Sequence, residues 1–207
     1  MEVLTGTGAR EVRDVYGRTY RIGESAHDLT GHSRRSQVWA GWACMVAISP
    51  LQYSFGVAVL GMQSAQRWGI VETMWLLALF VTCQALAAIP VARLHRSRLV
   101  SSSQLVVLGG VLSAAGMATI AHAGGVMTAV LGYSVVGGVG AGLVYSACIT
   151  TTAKWFPDNR VATIGFVTGG FACGAVTSIV LLSLFSSQRG HAVVFDVAAV
   201  VALVTVT

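Results

Sequence analysis

Residues 126–184 read VMTAVLGYSVVGGVGAGLVYSACITTTAKWFPDNRVATIGFVTGGFACGAVTSIVLLSL, and this stretch decides the fold. It holds two apolar runs, Val126–Ala153 and Val161–Leu184, with no Lys, Arg, Asp or Glu inside either. Between them lies a short polar elbow, Lys154-Trp155-Phe156-Pro157-Asp158-Asn159-Arg160. A helix needs about 20 apolar residues to cross a bilayer. Both runs exceed that length, so the stretch reads as two membrane-spanning helices joined by a tight turn.

The same pattern continues outward. Upstream runs cover Val38–Gly61, Thr73–Ala92 and Gln104–Ala123, and a sixth begins near Ala192 and is still apolar at Thr207. These become spans one to six. The sixth offers 16 residues and no basic flank, so it reads as cut short within the membrane. Composition agrees: 55% of the 207 residues are apolar, 10% are charged, and mean hydropathy is +0.72. Soluble domains carry about 25% charged residues. The balance excludes a disordered chain and points away from a soluble enzyme. The net charge of +5 does not indicate nucleic acid, because the basic residues sit at the edges of apolar runs.

Those basic residues also orient the chain. Arg10, Arg13, Arg18, Arg21, Arg34 and Arg35 precede span one, Arg93, Arg96 and Arg98 follow span two, and Lys154 and Arg160 follow span four. The opposite side has Arg67 and Arg189, so the sides divide eleven to two. Basic loops stay in the cytoplasm. The expectation is a cytoplasmic N-terminus and a multi-pass protein of the plasma (inner) membrane. Residues 1–37 form a polar tail, read as flexible and basic, and residues 38–207 the bundle. Ser33-Arg34-Arg35-Ser36 resembles a twin-arginine export signal, but it reads better as the flank of span one. No signal-peptide core lies near the start.

Motifs for catalysis are absent. There is no GxSxG, P-loop or HExxH. The cysteines Cys44, Cys83, Cys148 and Cys173 lie in apolar runs without ligand spacing, so no metal or cofactor is expected and the thiols read as packing residues. Gly137-Gly138-Val139-Gly140-Ala141-Gly142 superficially matches a dinucleotide loop, but it lies inside span four with no strand before it. Glu72 and Asp196 border spans two and six and read as interfacial charges. No catalytic residue is assigned.

Polar chemistry inside the spans is uncharged. Gln52 and Tyr53 follow Ser49-Pro50 near the middle of span one, and Gln84 lies at similar depth in span two. A buried amide is costly in lipid unless paired. The two glutamines either clasp each other or face a shared watery cavity. Pro50 frees a backbone carbonyl and can kink the helix there. Tyr133 and Tyr145 flank the glycine cluster and either line a path or anchor and pack. Gly138 and Gly142, Gly165 and Gly169, and Gly170 and Gly174 are spaced four apart. Such small-residue faces predict close contact between spans four and five.

Gly138-Val139-Gly140-Ala141-Gly142-Leu143-Val144-Tyr145, the elbow Lys154–Arg160, then Gly165, Gly169-Gly170-Phe171 and Gly174 form one pattern over about 40 residues. It resembles the oxalate/formate antiporter and monocarboxylate-porter branch of the major facilitator superfamily. The resemblance implies an all-α polytopic fold in which two six-helix halves surround a cavity that opens alternately to each side. This chain would supply the N-terminal half. The elbow itself makes physical sense. Pro157 stops span four, Asp158 can cap span five, Lys154 and Arg160 hold the loop at the cytoplasmic face, and Trp155 and Phe156 anchor at the headgroups. Where the family loop after span two resembles GxxxDxxGxR, residues 88–98 keep basic residues but neither the acidic residue nor the glycines. Ser134 stands near the place of the span-four arginine common in drug–proton antiporters, which points away from that class.

The resemblance implies transport of a small organic anion, such as oxalate, formate or a monocarboxylate, by an antiporter-like carrier and not an enzyme. Gln52, Tyr53, Gln84, Tyr133 and Tyr145 are the candidate pathway residues, acting by hydrogen bonding. This half offers no cation at depth, so an anion's positive partners would come from a second half. The expected partners are the lipid bilayer, the anion, and a second six-helix half or a homodimer, with no nucleic acid. The alternative is a truncated, non-transporting membrane protein, either a relic or an assembly factor using its tail.

Overall fold

The computed structural model describes residues 10–13, 17, 19–22, 33–66, 68–97, 100–184 and 190–206. Arg67, Arg98, Arg189, His27, His32 and most of the tail lie outside the described residues. Within the tail, β1 (Arg10–Arg13) and β2 (Thr19–Ile22) pair antiparallel, with Arg10 opposite Ile22 and Arg13 opposite Thr19. The sequence reading assigns no structure here. The ribbon turns through Gly17, whose φ of 80° suits a residue without Cβ, and Arg13 Nε donates to the Gly17 carbonyl at 3.1 Å.

Everything described from Arg34 onward is helix and short connection. Among the described residues five helices are long and apolar enough to cross a membrane: Arg35–Val59, Ile70–Val91, Ser102–His122, Val126–Trp155 and Arg160–Leu184. The apolar helix Ala192–Val206 is shorter. These are spans one to six. Span-one helix begins at Arg34, with Ser33 as its cap: Ser33 Oγ accepts from Ser36 N at 3.3 Å. The Arg34–Arg35 pair therefore sits in the first helical turn. Span three opens with a capping box in which Ser101 and Gln104 each bond the other's backbone N–H, at 3.2 and 3.0 Å. Helix at span two runs on through Pro90 to Ser97, beyond the apolar run.

Span one is broken. Its helical pieces are Arg34–Ile48, Pro50–Tyr53 and Phe55–Gln66. Pro50 has no N–H to give to the preceding turn. The Val46 carbonyl it leaves accepts from the Ser49 N–H at 3.3 Å, and side chains tie the broken segment to neighbouring helices. Ser49 Oγ donates to the Phe171 carbonyl at 2.5 Å, Ser54 Oγ bonds Ser178 Oγ, and the Tyr133 hydroxyl donates to the Leu51 carbonyl at 2.6 Å. Each of these bonds satisfies a buried group that lipid cannot solvate.

Span four is the centre of the bundle and touches spans one, two, three and five. It widens into a π-helical stretch over Val130–Gly137 before resuming as α-helix from Gly138. Span three lies between spans four and six, and span one between spans five and six. In the most apolar window, 61% of span one is buried but only 22% of span two, so span two presents a broad open face.

The glycine faces find different partners from those the sequence suggests. A Cβ on Gly138 would lie 2.7 Å from the Phe80 carbonyl oxygen, and one on Gly142 would overlap that of Gln84. Both lie against span two. On span five, a Cβ on Gly170 would lie 2.7 Å from the Trp42 carbonyl oxygen, and one on Gly174 would overlap that of Val46. Both lie against span one. Gly174 thus sits on a carbonyl that Pro50, four residues on, cannot bond. Gly165 and Gly169 have nothing within 4 Å of an added Cβ. Spans four and five do touch, but Gly138, Gly142, Gly170 and Gly174 pack against spans two and one instead of making that contact. A glycine crossing does occur between spans three and four, where a Cβ on Gly140 would lie 2.7 Å from the Gly109 carbonyl oxygen.

The elbow follows the local chemistry of Pro157. Span four ends at Trp155, and Phe156, preceding the proline, leaves the helical region at φ −126°, ψ 61°. Span five starts at Arg160, where the Thr163 N–H and hydroxyl both return to the Asn159 carbonyl, at 3.1 and 2.8 Å. Lys154 and Arg160 are exposed, while Trp155, Phe156, Pro157 and Asp158 are half-buried. At the other end of the bundle, His122 Nε2 meets both carboxylate oxygens of Asp196 at 3.0 Å. Asp196 is thus an interhelical tie between spans three and six, beyond the interfacial role read from sequence.

Candidate functional site

Four spans line one recess of about 320 Å³, and three of them bring polar groups to it. Span one contributes Gln52 and Tyr53 from the short helix after Pro50. Val81, Gln84, Ala85 and Ala88 line it from span two, and their spacing of three, four and seven sets them on one helical face. Tyr145 and Ser146 come from span four, and Phe171 from span five. The break in span one matters here, because it turns Gln52 and Tyr53 out of the packed seam. Tyr53 is exposed while its neighbours Leu51 and Phe55 are fully buried.

Phe171 holds the two tyrosines. Its ring lies 5.3 Å from Tyr53 and 5.9 Å from Tyr145, edge to face at 67° and 73°. Such pairs add about 0.5–1.5 kcal/mol beyond area burial. Its own backbone carbonyl is the acceptor for Ser49, so the wall is anchored to span one. Gln52 and Gln84 make no side-chain hydrogen bond among the described residues. They do not clasp each other, and both amides are half-buried around the shared recess. Among the described residues no Asp, Glu, Lys, Arg or His lines it. What the arrangement offers is two amides and two phenols as hydrogen-bonding groups on an apolar floor of Val81, Ala85 and Ala88.

Tyr133 lies elsewhere and is corrected as a lining residue. It is fully buried, with its ring stacked between Phe55 and Phe80 at centroid distances of 4.9 and 5.0 Å. Its hydroxyl is committed to Leu51, as described above. Beside it, Ser134 Oγ donates to the Leu76 carbonyl at 2.8 Å and joins span four to span two. Sequence reasoning did not single out Phe171 or Ser146 as lining residues. Phe171 sits within the GGFxxG pattern, but nothing in that spacing reveals which neighbour it faces. Among the described residues no group of three or more His, Cys, Asp or Glu could hold a metal.

A family model described as Major Facilitator Superfamily matches residues 37–207. The chain belongs to the major facilitator superfamily. Its long apolar helices make it a multi-pass membrane protein. Two curated relatives of this chain are both called monocarboxylate transporter 11. The mouse protein is 28% identical over 136 residues, covering 64% of this chain and 30% of that protein. The human protein is 29% identical over 156 residues, covering 73% of this chain and 33% of that protein. The chain therefore spans about a third of the length of these relatives. This superfamily frame fits the geometry: the matched region begins where span one begins and takes in all four spans around the recess.

Proposed function

We propose that this chain forms the N-terminal half of a carrier that moves a small organic anion across the plasma (inner) membrane by alternating access, with its N-terminus and elbow in the cytoplasm. The observation that carries the reading is the recess: Gln52, Tyr53, Gln84 and Tyr145 converge from three spans at mid-length, with Phe171 between the tyrosines. Its volume of about 320 Å³ lies at the lower end of small-molecule sites. Amide and phenol N–H and O–H groups donate to carboxylate oxygens, and the apolar floor accepts a short alkyl chain. A monocarboxylate, formate or oxalate fits that chemistry, and the names of the two relatives support the first. An anion also needs a compensating cation. The recess has none, so this reading assigns the cation to a second six-helix half, or to a second copy of this chain, facing the open side of spans two and five. Exchange of one carboxylate for another, as in an antiporter, is the mode this reading favours.

The test is uptake of radiolabelled formate, oxalate and lactate into proteoliposomes, with this chain alone and with a C-terminal half co-expressed. Saturable uptake that Gln52→Leu or Gln84→Leu reduces at least tenfold supports the proposal. Absence of saturable uptake in both preparations defeats it. That outcome would favour the alternative of a non-transporting membrane protein.

A further inference from the structure

A groove of about 290 Å³ lies between spans one and five at the elbow end of the bundle. The two helices run the same way here, since Gly170 packs on Trp42 and Gly174 on Val46. The groove changes character with depth. Arg35 and Asn159 stand at its mouth, and both are exposed. Trp39 follows four residues deeper on span one, and Phe166 seven residues deeper on span five, about 6 and 10 Å at the helical rise. Their rings meet edge to face at 5.2 Å, and the Trp42 ring backs both at 5.8 and 6.4 Å. Yet Trp39 is 58% exposed and Phe166 43%. A cationic mouth thus leads to an uncovered aromatic wall. This groove faces away from the recess of Gln52 and Gln84. Around span five, Phe166 stands about 140° and Ala162 about 180° from Phe171, which lines that recess. A second half closing over the recess would leave the groove open.

We propose that this groove holds one phospholipid with an anionic headgroup, its phosphate at Arg35 and Asn159 and an acyl chain along Trp39 and Phe166. Charge selects the occupant. Arg35 makes no hydrogen bond or ion pair among the described residues, and Asp158, the acid of the elbow, does not line the groove. A guanidinium gives two parallel N–H bonds to a phosphate, and the Asn159 amide adds a further donor. A zwitterionic headgroup brings an ammonium that Arg35 repels, so an anionic one binds better. Depth agrees as well. The groove presents charge first and aromatic surface below it, in the order in which a phospholipid presents phosphate and hydrocarbon. The site is separate from the recess around Gln52 and Gln84 and does not depend on what that recess carries.

The experiment is tryptophan quenching by brominated lipids, with the full chain in phosphatidylcholine nanodiscs. A minor fraction of the lipid carries bromine high in its acyl chains, as phosphatidylglycerol in one series and phosphatidylcholine in the other. The expected result is stronger quenching by phosphatidylglycerol, with an apparent affinity about fivefold higher, the step that one basic side chain gives at an anionic headgroup. Arg35→Gln should bring the two series together, and Trp39→Phe should remove much of the excess. Arg93→Gln, which deletes an exposed cation of span two, should leave it intact. Added glycerol phosphate should not reduce the excess, which separates a docked lipid from a bound free phosphate. Equal quenching by the two lipids in the wild type would overturn the proposal. So would an excess that survives Arg35→Gln, that Arg93→Gln abolishes equally, that glycerol phosphate displaces, or that Trp39→Phe leaves unchanged. The wild-type comparison does not depend on any variant folding.

Discussion

Replacing each glycine of spans four and five by alanine should give stability changes of opposite sign. In a helix, Gly→Ala alone stabilises by about 0.5–1 kcal/mol, through backbone entropy. That gain should appear at Gly165 and Gly169, where an added Cβ meets nothing within 4 Å. At Gly142 the methyl would strike the Gln84 backbone carbonyl, with the Ala87 Cβ 2.7 Å away. A carbonyl within a helix cannot rotate aside, so spans two and four must separate. Overpacking of this kind costs about 1–3 kcal/mol. After the entropy gain, the net loss at Gly142 is on the order of 0.5–2 kcal/mol. Gly174 should behave alike, because its methyl would strike the Val46 carbonyl. The assay is equilibrium unfolding in mixed detergent, followed by tryptophan fluorescence. Gly169→Ala should be neutral or stabilising while Gly142→Ala and Gly174→Ala lose stability. Tolerance of alanine at Gly142 and Gly174, with a loss above about 1 kcal/mol at Gly169, would refute the assigned helix pairing.

Tyr133→Phe keeps the stack on Phe55 and Phe80 but leaves the Leu51 carbonyl without its donor; it should cost about 1–3 kcal/mol in the same assay, with carboxylate affinity unchanged. Asp196→Asn removes the charge that ties span six to His122. Because that pair is solvent-exposed, the loss should stay within about 1 kcal/mol and vanish in high salt, which a salt titration of the unfolding midpoint checks. Ser49→Ala removes its bond to the Phe171 carbonyl, which keeps its partner within the span-five helix, and loosens the wall of the recess. Unfolding should show a loss of about 0.5–1.5 kcal/mol.

Much of the fold was legible because membranes impose a simple code. Run length and charge alternation mark the spans, and Pro157 marks the elbow. Depth was legible too: Gln52 and Gln84 each sit near the middle of an apolar run, and they meet around one recess. Facing was not. Tyr133 and Tyr145 are twelve residues apart, which already separates them by about 120° on an unbroken α-helix. The π-helical stretch over Val130–Gly137 alters the phase again. Glycine spacing revealed small faces but not their partners. Spans four and five adjoin in sequence, yet Gly138 and Gly142 pack on span two, and Gly170 and Gly174 on span one.

The central claim is that the recess among spans one, two, four and five is a watery path for a carboxylate. Its most direct test is thiol labelling of Gln84→Cys in liposomes by a charged, membrane-impermeant thiosulfonate, with Val111→Cys on the exposed face of span three as the comparison. Position 84 should be labelled, position 111 should not, and a monocarboxylate should slow labelling at 84 alone. Equal labelling at both positions, or none at 84, would contradict it.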